Sequence, residues 1–137
     1  MKILFIEDEI FTNQTLAEFL ETKYGNDFIW LQNANKAVAY VENHVDYDLV
    51  ILDIMMAPPD GKDEISGIDI RTGYSTGLGI LKLINDKNPN AKVIIFSARN
   101  DFDNEKILEK LKYNERLLKP RQVEDIIYEI EQLRKKN

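Results

Sequence analysis

The stretch Leu49-Val50-Ile51-Leu52-Asp53 sets four large apolar residues in a row and stops on a carboxylate. A run this short, with two β-branched members, reads as a strand covered on both faces. The same texture recurs at Lys2–Ile6 (KILFI), Phe28–Leu31 (FIWL) and Val93–Phe96 (VIIF). Leu117–Leu118, just before Lys119-Pro120, reads as a shorter fifth strand. Segments of helical period lie between these runs. Phe11, Thr15 and Phe19, with Leu16 and Leu20, mark one face of a helix over Ile10–Lys23, and Gly25 follows its end. Ala37, Val38 and Val41 give the inner face of a second helix, Ala34–Glu42. Leu78, Leu81, Leu83 and Ile84 mark a third that stops near Asn88-Pro89. Phe102, Ile107, Leu108 and Leu111 mark a fourth. Val123, Ile126, Ile127, Ile130 and Leu133 mark a fifth, closed by Arg134-Lys135-Lys136, cations suited to a helix C-terminus.

Strand and helix alternate five times, which predicts an α/β fold with a doubly wound, open, five-stranded parallel sheet and five helices. Five strands are too few for an eight-stranded barrel. Such sheets carry their sites beyond the carboxyl ends of the strands. The 137 residues fit one domain, 1–137, with no repeat. The fifth helix runs to the end of the sequence, so no output module is expected to follow. One stretch does not fit the alternation. Residues 57–76 (APPDGKDEISGIDIRTGYST) hold two prolines and several Gly and Ser breakers, too long for an ordinary connection. Partial alternation over Glu64–Arg71 predicts a short hairpin within it.

Composition excludes several functions. Eighteen Lys and Arg against 24 Asp and Glu give a net charge of −6, wrong for a free-standing DNA or RNA binder. With no cysteine, a disulfide framework, a thiolate zinc site and a cysteine nucleophile are ruled out. The lone histidine, His44, argues against a His-based triad or multi-His metal site and reads as a surface residue. No apolar run reaches the roughly 20 residues of a membrane helix. The N-terminus lacks the marks of a signal peptide, so the expected compartment is the cytoplasm.

The chemistry stands at the strand ends. Glu7 and Asp8 follow the first strand, Asp53 the third, Ser97 the fourth and Lys119 the fifth. In a parallel sheet these positions share one edge. Two like charges about 4 Å apart cost about 4 kcal/mol at an effective dielectric of 20. The carboxylates must therefore gain a cation or raise a pKa. Oxygen donors without His or Cys favour Mg²⁺ or Mn²⁺ over zinc, and Mg²⁺ commonly completes its shell with phosphate oxygens. That points to phosphoryl chemistry.

Four pieces in this order resemble the receiver domain of two-component response regulators of the CheY-like, stand-alone kind. They are Glu7-Asp8, LVILDIMM around Asp53, VIIFSAR around Ser97, and LLKP around Lys119. The resemblance implies a flavodoxin-like strand order 2-1-3-4-5. It implies that Asp53 accepts a phosphoryl group from a sensor histidine kinase or phosphotransfer protein. Glu7, Asp8, Asp53 and the backbone carbonyl of Met55 would hold Mg²⁺. Ser97 would hydrogen-bond a transferred phosphoryl oxygen, and Lys119 would pair with another. It implies a cis Lys119–Pro120 bond, where sequence alone favours trans. Output would pass to a downstream protein partner or along a phosphorelay, from a monomer or weak homodimer. The only catalysis expected is self-phosphorylation and autodephosphorylation.

Two features depart from the family pattern. Arg116 stands where a switch aromatic is usual, so it either pairs with acidic residues or stays solvated. The 57–76 stretch resembles an insertion of roughly fifteen residues beside the site. It is expected to act as a lid on the phosphoryl group or as a surface for a dedicated partner. Trp30 is expected in the core or at the sheet edge, and Arg99, two beyond Ser97, on the surface. Rival readings are a degenerate, non-phosphorylated binding scaffold, a flavodoxin-like electron carrier, a small phosphatase, and a receiver cut from a longer protein. Glu7-Asp8-Glu9 would repel a flavin phosphate after the first strand.

Overall fold

The computed structural model describes residues 1–98 and 102–136, without the side chains of 102–104. Arg99, expected on the surface, and the Phe102 side chain, expected on the inner face of the fourth helix, lie outside the described residues. In chain order the elements are β1 (Ile3–Ile6), α1 (Ile10–Tyr24), β2 (Phe28–Leu31), α2 (Ala34–Asn43), β3 (Leu49–Leu52), β4 (Glu64–Ile65), β5 (Ile68–Asp69), α3 (Thr76–Lys87), β6 (Lys92–Ser97), α4 (Phe102–Leu108), β7 (Glu115–Leu118) and α5 (Val123–Lys135). Five parallel strands form the main sheet in the order β2-β1-β3-β6-β7. This is the order 2-1-3-4-5 that the resemblance implies, with β4 and β5 set apart as a separate antiparallel pair.

Alternation along each strand feeds two cores. Leu4, Ile6, Val50, Leu52, Val93 and Ile95 face α2, α3 and α4, among Val38, Val41, Leu78, Leu81, Ile84 and Leu108. Ile3, Phe5, Leu49, Ile51, Ile94 and Phe96 face α1 and α5, among Leu16, Leu20, Ile126, Ile130 and Leu133. The central strands β1 and β3 are therefore apolar at every position, and β6 is apolar over Val93–Phe96, as the runs in the sequence require.

One helix face needs correction. The buried residues of α1 are Asn13, Leu16, Ala17 and Leu20. Phe11 is 95% exposed and Phe19 55% exposed, so the Phe11–Thr15–Phe19 stripe faces out. Asn13 takes an inner position because its side-chain amide donates to the Glu9 carbonyl at 2.8 Å. Gly25 closes α1 with φ +60°, as its place in the sequence predicts. Trp30 lies half-buried in edge strand β2, stacked on Phe5 with centroids 5.6 Å apart. His44 is exposed against Tyr40.

The 57–76 segment carries the expected hairpin. Its two-residue turn, Ser66-Gly67, has φ values of +51° and +83°, a left-handed pair that suits the twist of short hairpins. The segment is anchored rather than loose. Ile65 is 5% exposed and Ile70 fully buried, and both join the α2–α3 core.

Candidate functional site

The parallel register brings Ile6, Leu52 and Leu31 level, and Leu52 level with Ile95. The chain leaving each strand therefore opens onto one edge of the sheet. Glu7 and Asp8 leave β1, Asp53 leaves β3, Ser97 ends β6, and Lys119 leaves β7. The Asp53 amide donates to the Ile6 carbonyl at 3.0 Å, and the Lys119 amide to the Ser97 carbonyl at 2.9 Å. These bonds extend the ladder one residue past the strands and fix the backbones of the site.

Carboxylate oxygens of Glu7, Asp8 and Asp53 lie within 4.8 Å of one another. Glu7 is fully buried, Asp53 is 5% exposed and Ser97 4% exposed. Asp8 is half-buried and accepts from the Ala57 amide at 3.2 Å. Lys119 reaches in from the far side. Its Nζ donates to Glu7 Oε1 and stands 3.5 Å from Asp53 Oδ2. The ammonium also lies 5.4 Å from the centre of the Phe96 ring. The second Glu7 oxygen accepts from the Glu9 amide at 3.1 Å.

One lysine does not neutralise three carboxylates. Burial, then the Glu7 charge, pushes the Asp53 carboxyl from its ordinary 3.8 up to about 8, against the opposing pull of Lys119. Burial works against the Lys119 charge, but Asp53 and Glu7 together outweigh it and raise its pKa. The donor set is all oxygen, with no imidazole or thiolate, which fits a hard divalent cation such as Mg²⁺. Such a cation would offset the excess negative charge.

The 57–76 segment builds the outer wall. Asp8, Met55, Met56, Pro58, Thr72 and Tyr74 line a cavity of about 390 Å³ beside the carboxylates. The Met56 amide donates to the Gly73 carbonyl at 3.3 Å, tying the two ends of the segment together. Sequence reading missed two supports. The Trp30 indole N–H donates to the Glu7 carbonyl at 3.0 Å, holding the acidic turn from β2. The Phe96 ring lies against the Lys119 ammonium. Parallel pairing of the first two strands could have placed Trp30 near the turn; no sequence signal pointed to its donor role.

The Lys119–Pro120 bond is cis. Arg116 forms an ion pair with Glu105 of α4 at 2.6 Å, the paired alternative of the two expected for it. Among the described residues, no helix is long and apolar enough to cross a membrane.

The whole chain has solved structural counterparts. Response regulator TrrA from Thermotoga maritima, in complex with Mg²⁺-BeF, is 25% identical with a TM-score of 0.70, covering 97% of this chain and 99% of that one. A CheY-like receiver domain protein from Methanospirillum hungatei is 18% identical with a TM-score of 0.71, covering 97% and 93%. The receiver domain of NtrX from Brucella abortus is 21% identical with a TM-score of 0.71, covering 99% and 100%. No curated protein matches. The model of the response regulator receiver domain matches residues 3–131, nearly the full length over which the sheet and its helices run. The chain therefore belongs to the response regulator receiver domain family of two-component signalling.

Proposed function

We propose that this receiver accepts a phosphoryl group on Asp53 from a histidine of a sensor kinase or phosphotransfer protein. The observation that carries the reading is the convergence of buried Glu7 and Asp53 with half-buried Asp8, with the Lys119 ammonium 3.5 Å from Asp53 Oδ2. A carboxylate is an established phosphoryl nucleophile. An Asp53 oxygen attacks phosphorus, the P–N bond to the donor imidazole breaks, and the imidazole keeps the electron pair. Lys119 pairs with one oxygen of the transferred group, and the Ser97 hydroxyl donates to another. Glu7, Asp8, Asp53 and the Met55 carbonyl would hold Mg²⁺, or Mn²⁺ in its place. When bound, the ion supplies neutralisation of the phosphoryl charge.

The exposed stripe of α1 supports a protein as the donor. Phe11 and Phe19 stand out from the helix that follows the acidic turn, where an aromatic side chain suits an interface. The phosphorylated chain then signals through a downstream protein or passes the group on. No turnover of an outside substrate is part of this reading.

Intact-protein mass after incubation with Mg²⁺ and a small acyl phosphate tests it. One phosphoryl adduct is expected in the wild type, none without Mg²⁺, and none in Asp53→Asn. An adduct that persists in Asp53→Asn overturns the assignment of Asp53. No adduct together with no Mg²⁺ binding turns the reading to a degenerate binding scaffold.

A further inference from the structure

We infer that the groove between α3, α4 and the β4–β5 hairpin docks a partner protein through a short acidic segment carrying apolar side chains. The inference goes beyond the phosphoacceptor reading and does not rest on it. The groove has a volume of about 520 Å³ and is built from three separate parts of the chain. That size lies within the ~300–1,000 Å³ typical of ligand sites. Its floor is apolar: Ile68 of β5, Ile107 of α4 and Leu111 just beyond, all half-buried against the α2–α3 core. Its rim is mainly basic, with Lys82, Lys106, Lys110 and Lys112 against the single carboxylate of Asp86.

The charge on that rim runs against the rest of the molecule. The chain carries −6 overall. Lys82 is engaged by Asp86 at 3.2 Å. Among the described residues, Lys106, Lys110 and Lys112 form no ion pair. Among the described residues, these three ammonium groups thus border the apolar floor without an ion-pair partner, and Asp86, the one carboxylate of the lining, is taken up by Lys82. The end of the groove is fixed: the Asn85 amide donates to the Lys112 carbonyl at 3.1 Å, and the Lys112 amide donates to Asn85 Oδ1 at 2.8 Å. The hairpin supplies Ile68, so the 57–76 segment completes the groove.

The two surfaces together select the occupant. Aliphatic or aromatic side chains fill the floor, and carboxylates meet the rim. A nucleic-acid strand satisfies the rim but leaves the floor unused, and its charge is repelled by the acidic whole. A short acidic amphipathic segment meets both demands with few charges.

The test displays random twelve-residue peptides against the unphosphorylated full chain, with Lys106→Glu/Lys110→Glu/Lys112→Glu as the comparison. Circular dichroism checks that the variant keeps its fold. The selected peptides are expected to be rich in Asp and Glu with interspersed Leu, Ile or Phe. Synthetic copies should shift the methyl resonances of Ile68, Ile107 and Leu111. They should bind the variant about tenfold more weakly or worse, weaken as salt is raised, and bind Asp53→Asn as they bind wild type. Any of four results overturns the inference: no selected binder, binders without acidic bias, equal binding to the variant, or tighter binding of a single-stranded oligonucleotide. A wild-type dimer in sedimentation that the triple variant dissolves would also overturn it, by giving the groove to a second copy.

Discussion

A Cβ placed on Gly77 would stand 2.3 Å from the carbonyl oxygen of Asp53 and 2.4 Å from the Cα of Ile54. Real Cβ atoms do not approach so closely, and both obstacles are backbone. Gly77 also donates its amide to the Ile54 carbonyl at 2.8 Å. The first turn of α3 is thereby laid directly on the chain that carries Asp53. Gly77→Ala must push the helix and that chain apart. The expected cost is about 1–3 kcal/mol in chemical denaturation, with a loss of phosphoryl adduct beyond what the fraction unfolded explains. A Gly77→Ala protein with wild-type stability and adduct yield would show that the contact is not needed.

The Asp53 carboxyl sits at about 8 in the folded chain against its ordinary 3.8. Between roughly pH 4 and 8 the folded chain therefore holds a proton that the unfolded chain has released. Stability without a divalent cation should fall as the pH rises through that window. Asp53→Asn removes the charge, so its melting temperature should vary less over the same range. Mg²⁺ should raise the wild-type melting temperature more at pH 8 than at pH 5, because only the ionised cluster binds a cation well. Equal Mg²⁺ stabilisation at both pH values would count against a carboxylate site.

Lys119 is the counter-charge of the same cluster. Lys119→Gln keeps a hydrogen-bond donor and removes the ammonium from beside Glu7 and Asp53. A buried charge left without its partner costs about 3–5 kcal/mol. The variant should lose stability near that scale in EDTA, and recover more with Mg²⁺ than the wild type does. The measurement is a pair of urea titrations, with chelator and with Mg²⁺. A variant as stable as the wild type in chelator would mean that the ammonium does not balance the acids.

The open parallel sheet was readable because its strands are short runs covered on both faces and helices alternate with them, whereas its order came only with the resemblance to the receiver family. The convergence of Glu7, Asp8, Asp53 and Lys119 was readable as positions at strand ends, since parallel pairing sends every carboxyl end to one edge. The orientation of α1 was not. Phe11, Thr15 and Phe19 do share a stripe, but spacing identifies a face without saying which way it points. Asn13 took an inner position through a local bond to the Glu9 carbonyl, and hydropathy does not register such a bond. The burial of Ile70 was equally hidden, because the alternation Ile68-Asp69-Ile70-Arg71 marks a hairpin face without saying that it packs into the α2–α3 core. Trp30 holds the Glu7 carbonyl from a neighbouring strand, a link that exists only after pairing.

Arg116 and Glu105 tie β7 to α4 at 2.6 Å, at partly exposed positions. Pairs of this kind contribute about 0.2–1 kcal/mol. A double-mutant cycle with Arg116→Gln and Glu105→Gln should return a coupling in that range. A coupling above about 2 kcal/mol would make the pair a buried-type anchor that fixes α4 on the sheet.

Ile70 separates an anchored wall from a swinging lid. It is fully buried in the α2–α3 core, and the neighbouring Arg71 is held by Asp69 through Nη2 at 2.7 Å. Ile65, from the same segment, packs so near Gly79 of α3 that a Cβ there would stand 2.7 Å from the Ile65 Cβ. If the segment is part of the core, Ile70→Ala should cost about 2–5 kcal/mol, as at any buried aliphatic site. The loss should appear in global unfolding, and amide exchange at Ile65 and Ile70 should match the slow exchange of β3. A segment that opens freely would give a cost below about 0.5 kcal/mol and fast local exchange. The wall of the Asp8 cavity would then be a moving part, and its opening rate would bound how long a phosphoryl group on Asp53 stays shielded from water.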